Sequence, residues 1–190
     1  VAIAGIETTP LNQKEKTAVR RDHVGIVFQS PNLIPSLTVA EQLEIVARLG
    51  AGTFKGISKK ERKDRIESAL DAVGMLDRAH HRPGALSGGQ RQRVNIARAI
   101  IHQPEVLLVD EPTSALDQER SQAIIELLAE TTHKRDLATV VVTHAQEQLA
   151  EFDSVYRMVD GVLSADGDAG KANVGTGSHA HTYAKAPEYV

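Results

Sequence analysis

The 190 residues contain no cysteine and no tryptophan. Without cysteine there is no disulfide and no thiolate metal site, a composition that fits a reducing compartment. Long apolar runs are also missing. None approaches the roughly 18 residues needed to cross a bilayer, and the opening residues show no signal-peptide pattern. Service to a membrane would therefore go through a partner. Neither charge sign dominates, with 22 Lys and Arg against 25 Asp and Glu and a formal net charge of −3. A global basic field for nucleic acid is thereby excluded. What remains is ordinary for a globular domain with a substantial core, at 41% hydrophobic and 25% charged residues.

Read along the chain, apolar runs alternate with amphipathic stretches. "VAIAG" reads as a short strand with no turn before it and no initiator methionine, and the expectation is a sequence that starts partway through a domain. Lys14 to Asp22 suits a short polar helix, and "HVGIVF" a buried strand followed by a proline-punctuated loop. Thr38 with Glu41 forms T-x-x-E, a capping box that opens a helix to about Leu49. Ser58 to Val73 reads as a helix with Ile66, Leu70 and Val73 on one face, stopped at Gly74. Further on come the strand "EVLLVDEP", a helix from Asp117 to about Thr131, the strand "LATVVVTH", a helix to about Phe152 and the strand "SVYRMVDG". Continuous apolar strands between helices predict an α/β domain with a mostly parallel sheet. From about Ala165 the chain becomes rich in Gly, Ala and polar residues without a period, the signature of a disordered tail.

The stretch "LSGGQRQRVNIARAII" poses a question of cost. Each glycine in a first helical turn costs roughly 1 kcal/mol relative to alanine. Ser87 and Gln90 match S-x-x-Q, so Ser87 caps a helix whose Val94, Ala97 and Ile101 share a buried face. A helix start offers free N–H groups to an anion, and Gly88 and Gly89 let it approach without a Cβ in the way. A capped helix after a glycine turn is the plain alternative. Asp110 closes a buried strand where open α/β sheets bind ligands, and it can hold Mg²⁺ through water. Glu111 beside it is placed to act as a general base. His144 and Gln29 end two further strands. A γ-phosphate contact is open to His144, as is a simple solvent-facing role.

Taken together these residues resemble the ATP-binding subunit of an ABC transporter, from about Val1 to Ser164. "LSGGQ" matches the family signature, "VLLVDEP" the Walker B strand and "SALD" (Ser114 to Asp117) the D-loop, while His144 is similar to the switch histidine and Gln29 to the Q-loop glutamine. "GIVFQSPNLIPSLTVAEQLEI" is similar to the branch serving lipoprotein release and macrolide export. The resemblance implies a P-loop NTPase-like sheet with an inserted helical signature subdomain at about 38–100, in a domain covering 1–164. It implies ATP and Mg²⁺ as ligands. Asp110 would coordinate Mg²⁺, Gln29 would sense metal and attacking water, Glu111 would be the base, and His144 would contact the γ-phosphate. Ser87, Gly88, Gly89 and Gln90 would face nucleotide held by a second ATP-binding subunit, with Asp117 at the dimer interface. The implied partner is a membrane permease, which places the subunit in the cytoplasm on the inner face of the membrane, without nucleic acid and without inserting into the bilayer.

One family element is missing from these residues. The phosphate loop G-x-x-x-x-G-K-[ST] should precede Gln29 and does not occur. The lone Gly170-Lys171 pair lacks the earlier glycine and the following hydroxyl residue. No residue matches the family's adenine-stacking aromatic either. The expectation is an N-terminally truncated domain that neither binds ATP tightly nor hydrolyses it alone. Two other readings stay open. A non-transport ABC ATPase acting on DNA or in translation is disfavoured by the 56 residues between Gln29 and Leu86, too few for inserted coiled coils. A non-catalytic regulatory module gains from the missing loop and loses from the intact Glu111 and His144.

Overall fold

The computed structural model describes residues 1–49, 52–165 and 183–185. Among the described residues the chain forms β1 (Ala2–Ile3), β2 (Ile6–Glu7), α1 (Gln13–His23), β3 (Val24–Val27), α2 (Val39–Arg48) and α3 (Lys59–Asp71). Then follow α4 (Gly88–Ile100), β4 (Val106–Asp110), α5 (Gln118–Arg135), β5 (Ala138–Thr143), β6 (Val155–Val159), β7 (Val162–Ala165) and β8 (Tyr183–Lys185). The helices start where local chemistry dictates. Asn12, Thr38, Ser58, Ser87 and Asp117 each accept the amide of the third helical residue. Glu15, Glu41 and Gln90 complete reciprocal capping boxes on α1, α2 and α4. Beyond α3, Gly74 takes a left-handed conformation (φ +66°), the geometry that ends a helix.

The main sheet runs β3-β4-β5-β8-β6-β7, parallel except for β7, which returns antiparallel along β6. Val94, Ile96, Ala97 and Ile100 of α4 are fully buried in one cluster with β3, β4, α2, α3 and α5. Gly25 allows α4 to sit this close to β3, because a Cβ there would run into the Ala99 carbonyl oxygen. The opposite face of the central strands is open. Ile26 and Leu108, register partners in a row continued by Val140, are each 40% exposed.

Several elements differ from the sequence expectation. "VAIAG" is one arm of the β1–β2 hairpin, which turns at Ala4 and Gly5, both at positive φ. The helix expected before Phe152 is a 3-10 stretch, Gln146–Glu151, that starts at Ala145 without a side-chain cap. The expected tail contains a strand: β8 lies between β5 and β6, where their facing edges offer unpaired ladder groups that an extended segment satisfies. The rest of that tail, including Gly170-Lys171, lies outside the described residues.

Candidate functional site

The carboxyl ends of β3, β4 and β5 bring the strand-end polar residues together. Asp110 closes β4, Glu111 follows it, His144 follows β5 and Gln29 lies two residues beyond β3. Glu111 donates its backbone N–H to the Val142 carbonyl (2.8 Å) and takes a positive φ of 40°. That conformation is uncommon for a residue with a side chain. The carboxylate is gripped on both oxygens. Gln29 Nε2 donates to Oε2 at 3.2 Å, and His144 Nδ1 lies 3.2 Å from Oε1. The Glu111 side chain is only 20% exposed, whereas the His144 ring is 59% exposed. An imidazole that uses Nδ1 on Glu111 keeps Nε2 for another partner.

A cleft of about 1010 Å³ opens beside this carboxylate, lined by Glu111, Ser114, Asp117, Thr143 and His144 among others. Asp110 is exposed at its strand end. Among the described residues no three His, Asp or Glu side chains gather into a metal cage. Asp110 offers one exposed carboxylate, and Mg²⁺ takes one or two carboxylates together with waters and substrate phosphates.

The signature turn does not line the cleft. Ser87 Oγ accepts the Gln90 N–H at 3.3 Å and Gln90 Oε1 accepts the Ser87 N–H at 2.9 Å. The box therefore satisfies the Ser87 and Gln90 amides, and the first-turn amides of Gly88 and Gly89 have no partner within the helix. The two glycines differ in what surrounds them. A Cβ on Gly88 would press on Leu116 Cδ2 at 3.2 Å, whereas one on Gly89 would make only ordinary contact with Arg120 at 3.8 Å. Part of the first glycine's purpose is thus packing against the loop before α5. Asp117 also has a local duty: its Oδ1 accepts the Arg120 N–H at 3.0 Å, capping α5, while Oδ2 lies 3.3 Å from Arg120 Nε.

Sequence reasoning missed a set of residues on α4. Gln92 and Asn95 are buried, and with Arg98 they reach the backbone that flanks Gln29. Their spacing, polar at 92, 95 and 98 along one helical stripe, was the available signal.

An α/β sheet with an acid, an amide and an imidazole joined at its carboxyl edge has the arrangement of a ligand-binding α/β domain. A sequence model described as ABC transporter matches residues 2–114. The ABC transporter ATP-binding protein YtrE of Bacillus subtilis is 41% identical over 163 residues, covering 86% of this chain and 68% of YtrE. The macrolide export ATP-binding/permease protein MacB of Bartonella henselae is 39% identical over 178 residues, 94% of this chain but 26% of MacB. The ATP-binding cassette MJ0796, in a dimeric post-hydrolysis state bound to ADP and Pi, superposes with a TM-score of 0.72 at 35% identity, over 86% of this chain and 71% of that one. The chain belongs to the ABC transporter family. Its fold is that of an ABC ATPase cassette, and among the described residues no helix is long and apolar enough to cross a membrane.

Proposed function

We propose that this chain is the ATP-hydrolysing part of an ABC transporter that drives export or extraction through a membrane permease, working as one of two ATP-binding subunits on the cytoplasmic side. The observation that carries this reading is the Glu111 carboxylate held between Gln29 and His144. In that role Glu111 takes a proton from the water whose oxygen attacks the γ-phosphorus, and ADP departs with the bridging oxygen. His144 and Gln29 fix the carboxylate and meet the γ-phosphate and the water. Asp110, with Gln29, would hold Mg²⁺, which offsets phosphate charge when bound. Ser87, Gly88, Gly89 and Gln90 serve the nucleotide of the opposite subunit. Asp117 lies at the contact between subunits. The export direction rests on the similarity to MacB, whose name records macrolide export.

The phosphate loop is absent from these 190 residues, so turnover requires that element from a longer form of the chain or from a partner. The open sheet face at Ile26 and Leu108 leaves room for further structure, since parallel strands are usually covered on both faces. The test mixes this chain with an intact ABC ATPase subunit whose own signature serine and glycine are substituted. The chain alone should hydrolyse no ATP, the mixture should regain turnover, and Ser87→Arg in this chain should abolish the recovery. A mixture that stays inactive with the unaltered chain overturns the assignment of Ser87, Gly88 and Gly89 to the opposite subunit's nucleotide. For the reading carried by Glu111, Glu111→Gln in a complete cassette carrying this sequence should abolish turnover, and turnover left intact there overturns it.

A further inference from the structure

The loop that carries Gln29 has no ladder of its own, yet it is bound at several points to the middle of α4. Asn95 Nδ2 donates to the Phe28 carbonyl at 2.8 Å, and Gln92 Nε2 donates to the same oxygen at 3.3 Å. Three residues on, Arg98 Nη2 donates to the Pro31 carbonyl at 2.7 Å and Nη1 to the Asn32 carbonyl at 3.3 Å. The three side chains are themselves linked: Arg98 Nη2 donates to Asn95 Oδ1 at 2.9 Å, and Asn95 Nδ2 to Gln92 Oε1 at 3.3 Å. Asn95 is fully buried and Gln92 is 2% exposed. Asn32 holds a left-handed backbone (φ +46°) within the clamped stretch.

These bonds fall on both sides of Gln29 and leave its side chain free to reach Glu111. We propose that Gln92, Asn95 and Arg98 are positioning residues for Gln29, tying the amide that touches Glu111 to the helix whose first turn is the Ser87–Gly89 signature. A guanidinium fork on two successive carbonyls fixes both position and orientation of the loop, which a single ammonium point charge does not. A buried amide network of this kind specifies one arrangement when every member is satisfied. The consequence is mechanical: a displacement of α4 at its signature end is passed to Gln29 through side-chain bonds, without passing through nucleotide. The functional meaning of that link rests on the role proposed above for Gln29; the link itself does not.

The test therefore reads Gln29 directly. In the 190-residue chain labelled with ¹⁵N, the side-chain amide pair of Gln29 is assigned by its loss in Gln29→Leu. Arg98→Ala and Asn95→Ala should shift that pair and the backbone amide signals of Gln29, Ser30, Asn32 and Leu33, whose neighbouring carbonyls lose their donors. Arg98→Lys should bring those signals part of the way back. Arg93→Ala is the control: Arg93 Nη1 donates to the Val73 carbonyl at 3.0 Å from the same helix, not to the carbonyls of Phe28, Pro31 or Asn32 that the clamp holds. It should leave the Gln29 signals in place. Unmoved Gln29 signals in Arg98→Ala, or an equal shift in Arg93→Ala, overturns the proposal. If Asn95→Ala fails to fold, the comparison of Arg98→Ala, Arg98→Lys and Arg93→Ala decides alone. Shifted signals together with unaltered turnover after Gln29→Leu, in a complete transporter cassette carrying this sequence, would keep the clamp and remove the catalytic role of Gln29.

Discussion

Gly25→Ala offers the most direct test of how the site is held. Gly25 lies on β3 beneath α4, and an added Cβ would meet the Ala99 carbonyl oxygen, with Leu107 Cδ1 at 3.0 Å and Pro104 Cγ at 3.1 Å. Side-chain ends can move aside, but the Ala99 carbonyl belongs to helix backbone that is packed on all sides. Overpacking in a core costs about 1–3 kcal/mol, and the backbone obstacle puts this substitution at the upper end. For a domain of this size about 3 kcal/mol corresponds to a fall in Tm of roughly 6–12 °C. The assay is thermal unfolding followed by circular dichroism. Gly84→Ala is the matched control, because a Cβ there meets nothing within 4 Å, and its Tm should stay close to the parent. A Gly25→Ala protein that melts within about 2 °C of the parent would refute the close β3–α4 contact. Because α4 also clamps the Gln29 loop, the same substitution should shift the Gln29 side-chain signals.

Three other outcomes are expected. Ser87→Asp keeps a good N-cap and should leave Tm nearly unchanged, but its charge should abolish the turnover recovered in the mixed-subunit assay; Ser87→Ala should instead lose about 1 kcal/mol of stability, read by denaturant unfolding. Gly89→Ala should raise Tm by about 2–4 °C, since its Cβ finds only ordinary contact and a helix glycine costing about 1 kcal/mol is removed, so lost turnover there would report on ligand approach rather than packing. Burial holds the His102 imidazole below the ordinary histidine value, against the opposing pull of the Val24 carbonyl and the Asp22 and Glu105 charges. The unfolded chain therefore takes up the proton first, and stability is lost as pH falls through about 6.5 toward the folded value. His102→Gln should flatten that acid slope, seen as a smaller Tm difference between pH 7.5 and pH 5.5 than in the parent.

Much of the fold was readable because its signals are local. Each α-helix starts at a capping residue visible in the sequence, and β3, β4 and β5 are short apolar runs closed by polar residues. The strand-end residues Gln29, Glu111 and His144 could be read as a set, and the fold joins them at one carboxylate. Other features depend on partners distant in sequence. β7 escaped because Val162 and Leu163 are exposed and show no alternation, although Asp160-Gly161, both at positive φ, is a hairpin-turn pair. β8 is three residues long and is defined by the slot it enters rather than by its own composition. α5 continues to Arg135, past the expected Thr131, until Asp136 adopts a left-handed conformation. Gln92 and Asn95 are polar residues on an amphipathic helix, and the Phe28 carbonyl that accounts for their burial comes from a loop more than sixty residues away.

Helix α4 is tied to its surroundings at both ends and in its middle. Its first turn presents Gly88 and Gly89, and the loop before α5 packs on Gly88 through Leu116. Its middle binds the carbonyls around Gln29, and its last turn rests on β3 where Gly25 removes the side chain that would hold it off. A helix fixed at three places to three different loops or strands has little freedom to move without moving them. Glu111 starts the same β4–α5 connection to which Leu116 belongs, and it accepts the Gln29 amide. The signature turn, the carboxylate and the glutamine thus form a closed loop of contacts within one chain, Gly88 to Leu116, Glu111 to Gln29, and the Gln29 loop back to Asn95 and Arg98. A shift of the signature turn therefore bears on the Glu111 carboxylate from two sides, through Leu116 and the β4–α5 connection and through the loop that carries Gln29.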